Sequence, residues 1–286
     1  MVGDKRNFLY KYYLKFLSDL SPNFFLFENV PGLFSAGNGQ YLKNMLKGMR
    51  KLGYEVPEPR LVNTSEYNVP QNRKRVIVVG WKRALNFNIE SVFKKPNPIS
   101  FCVNDFLSDL PKLNAGESKT FAKYTKNNHV IKQLGIASNE GFTTENITRP
   151  HNDRDLAIYR IAVDKLKKGE KLKYNELPEQ LKTHKNQKSF LDRFKVVPKD
   201  LRASHTVVAH ISKDGHYYIH PDIKQNRSLS VREAARLQTF PDNFKFEGSR
   251  TSMYRQIGNA VPVLLTTCLA KNISEQLSQI SLKEIA

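Results

Sequence analysis

The chain has 286 residues, with 46 Lys and Arg against 27 Asp and Glu, a net charge of +19. At 40% hydrophobic and 26% charged it can form one large domain or two small ones, which excludes a disordered tail, a collagen-like repeat and a disulfide-stapled miniprotein. Two cysteines, Cys102 and Cys268, are too few for a disulfide framework, and no Cys-x-x-Cys pair offers a zinc site. Met1 to Phe16 lacks the apolar core of a signal peptide, and no run reaches the ~20 apolar residues of a membrane span. The expectation is a soluble, cytoplasmic protein. Its charge points to a polyanionic partner, nucleic acid first.

The first stretch reads as helix and strand in alternation. Phe8, Leu9, Tyr12, Phe16, Leu17 and Leu20 recur at helical spacing, so a helix is predicted over 5–20 with Asp4 as its cap. The apolar run 23–27 suits a buried parallel strand. Tyr41, Leu42, Met45, Leu46, Met49 and Leu52 predict a helix over 39–52, stopped by Gly53. Val76 to Val79 make 75–80 the strongest buried strand. This alternation predicts a doubly wound α/β sheet.

Near residue 94 the periodicity fades. Residues 163–202 hold 12 Lys and Arg against 6 Asp and Glu, and 94–202 reads as a basic, irregular region. Order returns at Thr206. Residues 206–209 and 216–219 read as strands joined at Asp214-Gly215. Ser230-Val-Arg-Glu233 is a capping box opening a helix through Leu237. Gly258-Asn259 reads as a tight turn, and 263–280 as a final amphipathic helix.

Four local patterns carry candidate chemistry. Glu28-Asn29-Val30 follows the dry strand, where open α/β sheets bind ligands. A glutamate there can hold an unusual protonation state and donate to a ring nitrogen, though an isolated one ordinarily caps a helix or pairs with a base. Gln71-Asn-Arg73-Lys-Arg75 sets two planar guanidinium groups at i and i+2 on an extended segment. Its ordinary reading is a basic edge. Arg232 and Arg236 share one helix face, by default a solvated one. Gly258-Asn-Ala-Val-Pro262 by itself is plain turn chemistry.

Taken in order, these four blocks resemble the DNA cytosine-5 methyltransferases. The likeness covers 3–93 and about 204–272, with the basic insert in the place of the family's target-recognition region. The resemblance implies a partial doubly wound S-adenosylmethionine-dependent methyltransferase sheet with an irregular, β-containing recognition domain. It implies that a thiolate attacks C6 of a cytosine flipped from the duplex, after which S-adenosylmethionine methylates C5. Glu28 would hold the cytosine edge at N3 and the amino group. Arg73 and Arg75 would be catalytic alongside it. Gln71, Arg232 and Thr206 would serve DNA binding, Thr206-Val207 resembling a Thr-aliphatic pair of that domain. Asn259 and Ala260 would close over the cofactor.

The chain also departs from the family pattern. The glycine-rich cofactor loop and the Pro-Cys nucleophile loop do not occur in these residues, and Gly3-Asp4-Lys5-Arg6 resembles the stretch that follows the Pro-Cys loop. The expectation is therefore the C-terminal portion or subunit of a restriction-modification methyltransferase, with an incomplete S-adenosylmethionine site. It would be inactive alone and completed by an N-terminal subunit that supplies the cysteine. Its predicted domains are 1–93 catalytic, 94–248 recognition and 249–286 returning to the catalytic domain. Double-stranded DNA in the nucleoid of a bacterium would be its partner. Exposed apolar surface and self-association follow for the lone chain. The alternatives are a non-catalytic DNA-binding subunit, an interrupted gene, or a tRNA methylase. A nuclease reading of Pro221-Asp222 and Pro241-Asp242 lacks the downstream lysine. No metal is expected, although His205, His210, His216 and His220 cluster in sequence.

Overall fold

Apolar spacing places the first two helices as expected in a computed structural model of the chain. The structure describes residues 8–285 except 86 and 187, with side chains to 279. Two units partition it: 1–67 with 73–96 and 267–286, and 68–72 with 97–266.

In the first unit, α1 (Tyr10–Leu20) is followed by β1 (Phe24–Asn29), α2 (Gln40–Lys51), β2 (Tyr54–Glu55), β3 (Arg60–Asn63), β4 (Lys74–Lys82) and the short α3 (Ile89–Val92). The predicted cap Asp4 lies outside the described residues. Leu42, Met45, Leu46 and Met49 fall at i, i+3, i+4 and i+7 on α2, and all four are buried against Leu17, Phe25, Val76 and Val78. A Cβ on Gly48 would lie 2.4 Å from Leu14 Cδ1, so glycine there lets α1 and α2 approach closely. Gly53 ends α2 at φ +88.

The strand expectation for 23–27 needs correction. β1 runs antiparallel to β4, with Phe25 opposite Gly80 and Glu28 opposite Ile77, and it sits at the sheet's edge. β2 and β3 are also antiparallel to β4. An apolar run records that a strand is dry, not which way its neighbour points. β4 itself is buried from Val76 through Trp81, as its sequence demands.

The second unit holds most of the surprises. The region read as irregular contains a hairpin of β5 (Ser118–Lys123) and β6 (Phe142–Ile147), a short α4 (His129–Gln133) and the 15-residue α5 (Asp153–Lys167). Asn152 caps α5 through the Asp155 amide at 2.8 Å, and Asp153 and Asp155 complement its first turn. Its buried stripe is only Ile158, Tyr159, Ala162 and Val163, a narrow signal within lysine-rich sequence.

Residues 206–219 form 3-10 turns over Ala209–Ser212 and His216–Tyr218, not strands. Here backbone donors bond side chains in place of a neighbouring strand. The Val207 amide donates to Gln71 Oε1 at 2.9 Å, and the Val208 amide to the Tyr218 hydroxyl at 3.1 Å.

All seven residues of α6 (Val231–Leu237) are buried, and Ser230 and Glu233 close the predicted capping box. α7 (Arg250–Asn259) was not foreseen: Gly258 and Asn259 are its last residues, not a turn. A Cβ on Gly258 would fall 2.2 Å from the Ala209 nitrogen, so α7 meets that backbone only through glycine. α8 (Val263–Ile285) begins in this unit and runs past the predicted end at 280. Among the described residues no helix is long and apolar enough to cross a membrane.

Candidate active site and recognition unit

Glu28 stands one residue from the carboxyl end of β1. The side chain two along from its partner Ile77 shares its sheet face, and that residue is Arg75. Arg75 Nε meets Glu28 Oε1 at 2.6 Å, with the two side chains 11% and 27% exposed. Burial pushes the Arg75 guanidinium below its usual value, while Glu28 acts to raise it. Arg75 also donates Nη1 to the Lys74 carbonyl. The pair fixes one carboxylate oxygen and leaves the carboxyl edge partly accessible. Just beyond, the Val30 amide donates to Asn29 Oδ1 at 2.8 Å, and Pro31 starts a 3-10 turn. A hollow of about 680 Å³ beside β1 is lined by Tyr13, Phe27, Asn29, Val30, Leu33 and Met45.

Arg73 is buried, and its carbonyl accepts from the Thr64 amide at 2.9 Å. The structure thus brings Glu28 and Arg75 together and seats Arg73 in the wall of the same unit.

Gln71 and Arg232, expected to serve DNA binding, are wholly buried. Gln71 Nε2 donates to the Leu237 carbonyl and to Gln238 Oε1, both at 2.8 Å. Gln238 in turn donates to the Ile257 carbonyl at 2.8 Å. This amide chain ties Thr206-Val207, the end of α6 and the end of α7. Gln238 is the functional neighbour that sequence reasoning missed; its signal lay in Arg236-Leu-Gln238, one step past the helix arginines.

The Arg232 guanidinium meets the Thr144 and Pro241 carbonyls at 2.8 and 2.9 Å, and the Phe244 carbonyl at 2.7 Å. Burial pushes its pKa down to about 10 against the pull of Asp242 and Glu145. A groove-facing role is corrected to that of a strut, because its donors are spent on protein acceptors.

Arg236 grips Asp242 at 2.6 Å and Asp109 at 2.8 Å. Burial would depress this guanidinium, but Asp242 and Asp109 outweigh it and hold it above its usual value. The solvated-face reading of these two arginines therefore fails.

Thr206 is half-buried and donates its hydroxyl to the Asn72 carbonyl. Asn259 is exposed at the last turn of α7, and Ala260 continues in extended conformation at φ −65, ψ 153. Cys102 and Cys268 are both partly buried, and burial pushes the Cys268 thiol up, away from thiolate chemistry. The histidines make internal bonds: His216 with the Tyr159 hydroxyl, His205 with the Tyr217 carbonyl, His220 with the Asp222 amide.

A family model described as C-5 cytosine-specific DNA methylase matches residues 1–275. This chain belongs to that family. It is similar to the Type II methyltransferase M.Bpa9945I of Bacillus paralicheniformis, 42% identical over 95% of this chain and 64% of that protein. It is similar to M.DdeI of Desulfomicrobium norvegicum, 31% identical over 98% of this chain and 69% of that protein. The chain thus spans a little under two thirds of M.Bpa9945I. Among solved structures, a candidate DNA modification methyltransferase encoded within an E. coli prophage superposes with TM-score 0.69 at 23% identity, over 96% of this chain and 75% of that one. That likeness gives the fold, the S-adenosylmethionine-dependent methyltransferase class expected from the motifs.

Proposed function

We propose that the chain carries the base-holding and DNA-recognition parts of a cytosine-5 DNA methyltransferase of a Type II restriction-modification system. The Glu28–Arg75 pair carries this reading. Arg75 orients one oxygen of the carboxyl group, and in this reading the other side of the group meets N3 and the amino group of a flipped cytosine. Holding N3 favours the electron shift that follows thiolate addition at C6. Arg73 backs this wall from within.

S-adenosylmethionine, when bound, supplies the electrophilic methyl group. Asn259 and Ala260 suit the rim of its site, offering an exposed amide beside an extended backbone step. They furnish a rim and no enclosing cage, in keeping with an incomplete cofactor site in these residues.

The thiol is the missing chemical group. Cys268 is held protonated by its surroundings, and neither cysteine follows a proline. We infer that the nucleophile and the glycine-rich cofactor loop come from a complementary N-terminal segment or subunit. The domain reading 1–93, 94–248 and 249–286 belongs to the same proposal, as does action on duplex DNA in the nucleoid.

The test is transfer of labelled methyl groups to mixed-sequence duplex DNA. The purified chain alone should show none. Adding a polypeptide with the cofactor loop and Pro-Cys loop should restore it, and Glu28→Gln in the mixture should lower the rate about 10²- to 10⁴-fold. Methylation by the chain alone would refute the split. A second reading, DNA binding without catalysis, is favoured by the separate cores of the second unit. It predicts salt-dependent binding with no methylation in any mixture.

A further inference from the structure

We propose that a cleft in the second unit binds one unstacked nucleotide of the DNA, with Phe190 as the stacking surface and Arg193 as the phosphate ligand. The inference rests on the duplex-DNA reading above and names a subsite within it.

The cleft has a volume of about 620 Å³, within the range of small-ligand pockets. His184, Phe190, Arg193, His210 and Tyr217 line it, and so does Thr206, already a candidate DNA contact. Phe190 is 72% exposed and sits at φ +55. A bulky side chain in the left-handed region is strained, and a strained residue persists only where its surroundings hold it. They do so here. The Phe190 carbonyl accepts from Arg193 Nε at 2.9 Å, and the Ser189 carbonyl from Nη2 at 3.2 Å. Asn186 Oδ1 accepts from the amides of Lys188 and Ser189 at 3.0 and 3.1 Å. The loop thus fixes a large apolar ring outward into solvent, opposite to what burial of apolar area favours.

Charge selects the occupant. The Arg193 guanidinium lies 3.9 Å from the centroid of the Tyr174 ring, which braces its plane. Among the described residues it pairs with no carboxylate, and its Nη1 has no protein partner. Lys195, which pairs with Asp192 at 2.6 Å, adds a second cation, and Asp214 is the single acid among the described residues of the lining. Burial holds His205 and His216 below the usual histidine value, so they are polar, uncharged walls near neutral pH. Aromatic faces, uncharged polar rings and a guanidinium with no carboxylate partner together fit an aromatic base with an attached phosphate. An apolar peptide would leave the Arg193 charge unmatched.

The test uses the full chain and two mixed-sequence duplexes, one fully paired and one with a single bulged 2-aminopurine. Wild type should bind the bulged duplex more tightly and quench the probe. Phe190→Ala should lose about tenfold in affinity for the bulged duplex, lose the quench and keep its affinity for the paired duplex. Phe190→Trp should restore both, and Arg193→Gln should weaken the bulged complex more than the paired one. If Phe190→Ala matches wild type on both duplexes, or wild type shows no preference for the bulge, the pocket is overturned while the DNA reading stands. Absence of salt-dependent binding to either duplex overturns both.

Discussion

Arg236 is fully buried, and among the described residues its charge is matched by Asp109 and Asp242. Arg236→Met would leave the two acids facing each other without the guanidinium they share. Breaking such a buried set costs about 3–5 kcal/mol. The expected result is a lower urea midpoint with an unchanged slope. His220 gives a pH signature. Burial pushes it down to about 4, against Glu233 and Asp222 and with Arg227. Between about pH 6.5 and 4 the unfolded chain takes up a proton that the folded ring refuses. Stability therefore falls as pH drops through that window. Glu233 acts lower. Burial would raise it, but Arg227 and His220 hold it to about 2, so its contribution is lost as pH falls from about 4.5 through 2. In melting curves from about pH 7 to 2, His220→Gln should flatten the slope above about pH 4 and leave the acid limb below it. At this scale the sequence singled out Glu28 and Arg75 by motif, while their pairing follows from the antiparallel register of β1 and β4. It was not legible for Arg232 and Arg236, because part of the set that buries them lies far along the chain, at 109 and 144–145.

Gly258 sets the packing of α7. Any side chain there meets backbone at Ala209 and Val208, and backbone cannot swing aside as a flexible side chain can. Gly258→Ala should cost about 1–3 kcal/mol by overpacking, seen as a lower melting temperature, despite alanine's better helix propensity. Elements with a local signature were readable. α2 has its apolar stripe, β4 its dry run and α6 its capping box, and each is complete within a dozen residues. α5 and the 3-10 turns at 209–218 were not. A narrow stripe among lysines carries little signal. The 206–219 segment has strand-like composition, yet its amides bond Gln71 and the Tyr218 hydroxyl.

At the scale of the whole molecule, charge and apolar surface point to different partners. The +19 charge suits a polyanion. Along α1, Tyr12, Phe16 and Leu20 are 66%, 61% and 75% exposed, as the sequence led us to expect. Such a patch favours association. In light scattering at tens of micromolar, the lone chain should exceed its monomer mass, and Phe16→Glu with Leu20→Glu should shift it towards monomer. A monodisperse wild type would count against this. The class of fold was available from motif order. The burial of the second unit's arginines was not, because it depends in part on pairing across about 90 to 130 residues that no local window contains.

The Asp109–Arg236 contact also has a meaning for synthesis. The two residues are 127 positions apart in the chain. A ribosome adding roughly 5–20 residues per second delivers Arg236 about 6–25 s after Asp109. Throughout that interval the acid has no counter-charge to enter the interior with, and the hairpin and helices made meanwhile must wait with their centre open. The second unit of this chain is therefore closed by one of its last-made helices, and a nascent chain cut short before α6 would keep Asp109 in water.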